Sequence, residues 1–404
     1  MVATLIFAAG SGVCALAPAM SVLLLGRAIQ GFGGGLLVAM SYAIVGALYD
    51  KALWPRVMAL ISSMWGLGTL IGPGVGGLFA ELGLWRNAFW VLVIWSAFYA
   101  ALASRYMPRA IRGSRPQPIA WPQLCVLSLA VLALSSASVF TGRSEMVGGI
   151  IAGIVLTVML ILIERRGTKK FLPDRGTLLT GELGKLYLTM VFLSITVTSA
   201  DVFGPLFLQL LHGFSPFQAG YVTALIAFGW MAGSVFNAGR SGASATMAMR
   251  LAPWLSFLAL VSLVFLMPAV DLKGAAWIVG TCLALFGTGV GVGLIWPHLL
   301  ARIVAVAPAD QADRASASIS TVQLFSTALG VSVAAIIVNL AGNLQGDVIQ
   351  EPGSAATWLF LACAMAPLAA IAPLSRSAPL SVRESEPQPE AASDISQAKI
   401  RSEV

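Results

Sequence analysis

The feature that most limits how this chain can fold is a recurrence of apolar runs about as long as a bilayer is thick. A membrane-spanning helix needs ~20 mostly apolar residues. Such runs fall near 2–18, 22–48, 57–80, 88–106, 122–140, 146–163, 186–211, 217–238, 251–269, 275–300, 316–341 and 355–374. Backbone polar groups must be paired internally in hydrocarbon, so runs of this kind close into helices rather than open sheets. The expected fold is an all-α polytopic membrane protein with twelve transmembrane helices. Composition agrees. Charged residues make up 10% of the chain and hydrophobic ones 58%, whereas a soluble domain carries about 25% charged residues. The 41 glycines and 20 prolines also fit, since both are commoner in membrane helices than in soluble ones.

A net charge of +7 invites a nucleic-acid reading, but the cations form no single patch. They sit in short breaks between apolar runs, and they alternate. One set of breaks holds Lys51 and Arg56, then Arg105 to Arg115, then Arg165 to Lys185, then Arg240 and Arg250, then Arg302 and Arg314, then the C-terminal tail. The other set holds Arg86, Arg143 and Lys273. The positive-inside rule places the first set, and both termini, in the cytoplasm. Residues 376–404 carry few large apolar groups and are expected to be a disordered cytoplasmic tail. The basic loop 164–185 divides the runs into two sets of six. Cys14, Cys125, Cys282 and Cys363 lie in separate runs without metal-ligand spacing. No nucleotide-binding loop is present, so ATP is not expected to drive the protein.

Two segments carry the functional expectation. Leu25 to Gly35 sets Arg27 just inside a helix, followed by Gly31 and Gly35 one turn apart. A guanidinium there should face a cavity or partner, to tune a carboxylate or hold an anion; the alternative is snorkelling to the interface. Gly68 to Gly77 repeats glycine every four residues at 68, 72 and 76, with Pro73 and Gly77 beside them. Bare glycine faces let helices approach closely and proline bends them, which suits helices that rock on each other; static tight packing is the alternative.

These segments, followed by Trp85-Arg86-Asn87-Ala88-Phe89-Trp90, resemble the fourth to sixth helices of the major facilitator superfamily. The second is similar to that family's antiporter signature, carried by Gly68, Gly72, Pro73, Gly76 and Gly77. Phe203 to Gln209, Gly213 to Gly220, and Gly287 to Gly291 with Pro297 resemble the fourteen-helix drug:proton antiporter branch. The resemblance covers roughly residues 1–375 and implies a major-facilitator-type helical bundle. It divides the chain into 1–106, the remainder of the N-terminal helical half; 107–185, two linker helices and the basic loop; 186–375, a C-terminal six-helix half; and the tail. Met1 falls where the branch's third helix should begin, so two helices and a cytoplasmic gating loop are expected to be missing.

Other polar residues inside runs are few. Asp201 is the carboxylate well inside a span, and burial favours its neutral form, so it is a candidate proton carrier. The alternatives are a cap from Thr196, Thr198 or Ser199, or a place facing a watery vestibule. Glu81 and Glu164 lie at span ends and are expected at the interface, while His212 and His298 have no second metal ligand at helical spacing. Trp65, Gln209, Trp230 and Trp296 are candidates for lining a substrate cavity, against the commoner interfacial role of tryptophan. The resemblance implies a multi-pass inner-membrane transporter that exports small amphipathic or drug-like solutes in exchange for protons. Its partners would be the solute, protons, the bilayer and, in some systems, a periplasmic adaptor. No cofactor, metal or enzymatic chemistry is expected. The alternative is a truncated, non-transporting remnant or a membrane scaffold.

Overall fold

The computed structural model describes residues 1–375 apart from 49–53, 107–119, 138–142, 168–169, 175, 178–180, 239, 241, 273, 309–310 and 346–347. The tail expected to be disordered lies outside the described residues. Twelve helices follow the apolar runs: α1 (Val2–Leu16), α2 (Met20–Leu48), α3 (Trp54–Glu81), α4 (Trp85–Tyr106), α5 (Trp121–Ala137), α6 (Arg143–Arg166), α7 (Glu182–His212), α8 (Pro216–Ala238), α9 (Gly242–Leu266), α10 (Ala275–Val306), α11 (Ala312–Ala341) and α12 (Pro352–Ser375). A hairpin of two-residue strands, β1 (Leu344–Gln345) and β2 (Val348–Ile349), joins α11 to α12.

Nine helices are long and apolar enough to cross a membrane, counted over the described residues. Of the other three, two are shorter than a full span. α1 and α5 are apolar but only 15 and 17 residues long. α3 has 28 residues, of which several side chains lie outside the described residues. At the other extreme α10 has 32 residues, about 48 Å at 1.5 Å per residue, and so extends past a ~30 Å hydrocarbon core.

The helices group into two bodies and a pair. α1 packs on α2 and α4, and α3 touches α2 and α4. α7 to α12 form a second, denser body around a shared core in which Phe207 of α7 meets Phe360 of α12 with ring centroids 6.2 Å apart. The α5–α6 pair rests on that second body through α5 and α11, where the Ser135 and Ser332 hydroxyls lie 3.2 Å apart. Across the molecule the principal contact between the two bodies is α3 against α8.

The turn between α7 and α8 sets that contact. Gly213 ends α7 in the left-handed region at φ 67°, and the Phe214 N–H donates to the Leu208 carbonyl at 3.1 Å, a Schellman closure. Ser215 then opens α8 with a capping box. Its hydroxyl accepts from the Gln218 N–H at 3.2 Å, and the Gln218 side chain accepts from the Ser215 N–H at 3.1 Å. Pro216 occupies the first helical position, where a missing N–H costs nothing.

Candidate functional site

The seam between α3 and α8 is built from small residues. A Cβ added at Gly77 would stand 2.7 Å from the Phe217 Cα, and one at Gly220 would stand 2.8 Å from the Pro73 Cβ. Tyr221 closes over Gly74 through its hydroxyl, and Met231 reaches Gly66 through its sulfur at 3.1 Å from a would-be Cβ. Gly68, Gly72 and Gly76 point elsewhere: a Cβ at any of the three would meet nothing within 4 Å among the described residues. The signature segment therefore has two faces. Pro73 and Gly77 are in contact with α8, and the four-residue glycine repeat borders open space.

Arg27 is exposed on α2, but its head group is not free. Its Nη1 donates to the Gln30 Oε1 at 2.6 Å, and the Gln30 Nε2 donates to the Ser11 hydroxyl of α1 at 2.8 Å. Gln30 and Ser11 are both buried. A charged donor to a fixed amide is a strong hydrogen bond, so a buried pair across α1 and α2 orients the guanidinium. Gly31 and Gly35 face open space; Gly26 and Gly33 bring α2 onto α1, at Cys14 and Phe7. Arg86 acts structurally. Its Nη2 donates to the Ala17 carbonyl at 2.9 Å and closes the end of α1, while its guanidinium lies 4.3 Å from the Trp85 ring centroid.

Asp201 lies on α7 with its side chain exposed and has no hydrogen-bond or ion-pair partner among the described residues. The neighbouring hydroxyls do not cap it. Thr196 donates to Phe192, Thr198 to Ser194 and Ser199 to Ile195, each to the carbonyl one turn back in its own helix. A carboxyl group that is open on one side and unpaired can exchange a proton without first breaking an ion pair.

Of the four candidate cavity residues, two meet. Trp230 of α8 and Trp296 of α10 pack edge to face at 4.8 Å, with Trp296 buried. Gln209 folds back on the Pro205 carbonyl of its own helix at 3.1 Å. The Trp65 side chain lies outside the described residues.

Glu164 stands at the end of α6, where the sequence places it, but is covered by protein. It is buried, because the segment after α6 folds back over it: the Leu172 N–H donates to one carboxylate oxygen at 2.7 Å, and the Gln123 amide of α5 donates to the other at 3.4 Å. The contact between α8 and α10 is a further feature that the sequence reasoning does not single out. Gly229 and Gly233 of α8 face Gly289 and Gly293 of α10 so closely that any Cβ would collide with backbone of the other helix. Gly291, on another side of α10, accommodates Ser256 of α9. The spacing Gly-x-x-x-Gly, present in both helices, is the available signal.

The architecture defines a multi-pass membrane protein made of two helical bodies that meet across a glycine-lined seam. The sequence matches the Major Facilitator Superfamily over residues 1–331. It is 34% identical over 375 residues to a protein of Mycobacterium tuberculosis named as a probable multidrug-efflux transporter, covering 89% of this chain and 77% of that one. It is 26% identical over 380 residues to an Escherichia coli protein named as a multidrug resistance protein, MdtD, covering 90% and 77%. Among solved structures it resembles a POT family transporter in complex with 5-aminolevulinic acid, at TM-score 0.64 and 16% identity over 92% of this chain and 80% of that one. It also resembles the human organic anion transporter TETRAN, at TM-score 0.54 and 19% identity over 91% and 75%. The chain belongs to the major facilitator superfamily, and it is a membrane transporter.

Proposed function

We propose that this transporter exports small amphipathic, drug-like compounds across the inner membrane in exchange for protons, by alternating access between its two bodies. The observation that carries the reading is the α3–α8 seam. Pro73 and Gly77 hold α8 at near-backbone distance, while Gly68, Gly72 and Gly76 leave an unfilled face beside it. A bare face next to a tight one lets a helix roll without side chains catching, which is what rocking of two bodies about a midplane site demands. The names of the M. tuberculosis and E. coli relatives support a drug-like cargo. The α5–α6 pair, which stands between the two bodies in chain order and packs on the second through α11, supports placement in the fourteen-helix drug:proton antiporter branch.

Within this reading Arg27, oriented by Gln30, supplies fixed positive charge, and Asp201 carries the proton. Both termini and the loop 164–185 face the cytoplasm. The test is flux in proteoliposomes loaded with a fluorescent lipophilic cation. An imposed pH gradient should drive dye across the membrane, and a protonophore should abolish that movement. Flux indifferent to the proton gradient would remove the coupling, and no flux of any amphipathic dye would remove the export function.

A further inference from the structure

Between the α5–α6 pair and the second helical body lies a cavity of about 190 Å³ that takes no part in the α3–α8 seam. Its walls are almost wholly hydrocarbon, from Leu127 of α5, Leu160 and Ile161 of α6, Leu188 and Val191 of α7 and Phe325 of α11. Three of the polar groups at its edge are turned to other partners. The Glu164 carboxylate is held by Leu172 and Gln123, the Tyr187 hydroxyl meets Ser318, and the Thr157 hydroxyl donates to Gly153. The cavity is far larger than the ~10–15 Å³ that one water requires, yet water needs two or more polar partners to stay. A hydrocarbon occupant would make dispersion contacts along the whole lining.

One end of the gap is basic. Arg165, at the end of α6, donates through Nη2 to the carbonyl of Thr177 at 2.8 Å, and Thr177 is itself a lining residue. The guanidinium is thereby fixed at the cavity mouth. Arg166 is exposed beside it, and Lys185 follows the lining residue Gly184 on α7. Lys170 is nearby but already paired with Asp174. A hydrocarbon slot that opens under two or three cations matches a molecule with an acyl chain and an anionic head.

We propose that this slot binds an anionic phospholipid, with one acyl chain between α6 and α7 and the head-group phosphate against Arg165 and Arg166. The lipid then completes the joint by which the α5–α6 pair rides on the second body, a joint whose direct protein contact runs mainly through α5 and α11.

Native mass spectrometry of the full chain, delipidated in detergent and titrated with dioleoyl phosphatidylglycerol or dioleoyl phosphatidylcholine, tests this. Wild type should retain phosphatidylglycerol about tenfold more than phosphatidylcholine, the preference expected of one or two cations at a phosphate. The double variant Arg165→Gln, Arg166→Gln should bind the two lipids equally. Leu188→Trp fills the slot and should abolish retention of both, and Ile151→Trp, on the exposed side of α6, should change neither. Thermal unfolding confirms that each variant is folded; if Leu188→Trp is not, Val191→Phe takes its place. Equal binding of the two lipids by wild type would overturn the proposal. So would undiminished phosphatidylglycerol retention in the filled variant, or displacement of bound lipid by the transported dye, which would make the slot a cargo site instead.

Discussion

Pro73 of α3 sits in the notch left by Gly220 of α8, so close that a methyl group at position 220 would stand 2.8 Å from the proline Cβ. Four residues further along α3, Gly77 repeats the relationship against the Phe217 backbone. Positions on this face are part of the packing of the present conformation, whereas Gly72 on the open face is not. The two kinds of substitution should therefore part company. Gly77→Leu and Gly220→Leu are expected to lower thermal stability by about 1–3 kcal/mol, as overpacking does, and to lose flux with it. Gly72→Leu should insert and melt as wild type does but block transport, because its side chain obstructs only the other arrangement of the seam. Differential scanning of each purified variant beside its dye flux separates these outcomes. Wild-type flux in Gly72→Leu would show that the open glycine face is not used in transport.

Arg27 should depend on its support as well as its charge. Removing the Gln30 acceptor frees a guanidinium to adopt many rotamers, and hydrogen bonds to charged groups contribute about 1.5–3 kcal/mol. Gln30→Leu is expected to reduce export by roughly tenfold or more while leaving the cation in place. Arg27→Lys should lie between wild type and Arg27→Ala, since lysine keeps the charge and loses the planar fork. Initial rates of dye efflux from vesicles give the order. Equal, small effects of all three substitutions would reduce Arg27 to a snorkelling side chain.

Asp201 stands unpaired and exposed on α7, so its replacement should disturb coupling more than folding. Asp201→Asn is expected to keep wild-type stability and to carry dye down its own gradient, but no longer against it when a pH gradient is imposed. Asp201→Glu retains an ionisable group and should retain coupling in part. Parallel recordings of dye and proton movement provide the measurement. Unimpaired proton-driven accumulation by Asp201→Asn would assign the proton to another group.

How much of this is legible in the chain differs by physical scale. The helices are, because lipid demands apolar runs of a set length and the runs at 186–211 and 275–300 become α7 and α10. The presence of close helix contacts is legible too, but not their partners. Glycine marks where a backbone can approach without saying which backbone does. The sequence draws attention to Gly31 and Gly35, yet Gly26 and Gly33 are the ones that meet α1. It draws attention to Gly68, Gly72, Pro73, Gly76 and Gly77 alike, without saying that Pro73 and Gly77 are the two that meet α8. The burial of Glu164 at its helix end is not legible, because nothing local announces that Leu172 folds back to cover it. Cavity lining is beyond reach for the same reason, since it depends on which faces of separate helices come together.

The α8–α10 seam yields a prediction about folding alone. Gly289 lies against the Ile226 carbonyl and Gly293 against that of Trp230, with no room for a Cβ at either. Backbone cannot yield as a flexible side chain can, so Gly289→Ala should force the helices apart and cost about 1–3 kcal/mol. Gly287→Ala, one face away, would place its Cβ 3.5 Å from that of Ala259, an ordinary contact, and should be tolerated. Thermal unfolding in detergent compares the two. Equal melting temperatures would mean that the seam can open at little cost.

The loop after α6 is fastened to α11 by a clasp whose pH response can be worked out. The Asp174 Oδ1 accepts from the Lys170 ammonium at 2.8 Å, its Oδ2 accepts from the Gln311 Nε2 at 2.9 Å, and its own N–H donates to the Gln311 Oε1 at 2.8 Å. The Lys170 hydrogen bond, then that of Gln311, hold the Asp174 carboxyl below its ordinary range. A carboxylate depressed in the folded state stabilises fully above its unfolded value of ~3.9 and loses that contribution as pH falls through the lower folded value. The clasp should therefore be closed throughout about pH 5–8 and open only in acid below about 4. Asp174→Asn imitates the acid state at neutral pH for a geometric reason. Both carboxylate oxygens are acceptors here, and an amide must turn its NH2 toward either the Lys170 ammonium or the Gln311 NH2, donor against donor. Hydrogen exchange of the backbone around residues 170–174 should quicken at neutral pH in Asp174→Asn, by about fivefold at most because the pair is solvent-exposed. Wild type should reach the same rate, corrected for intrinsic exchange, only in acid. Gln311→Leu should quicken exchange at neutral pH as well, by removing the far side of the clasp. Exchange that is pH-independent in wild type after that correction, and unchanged in both variants, would show that the loop is held by Glu164 and Leu172 without help from Asp174.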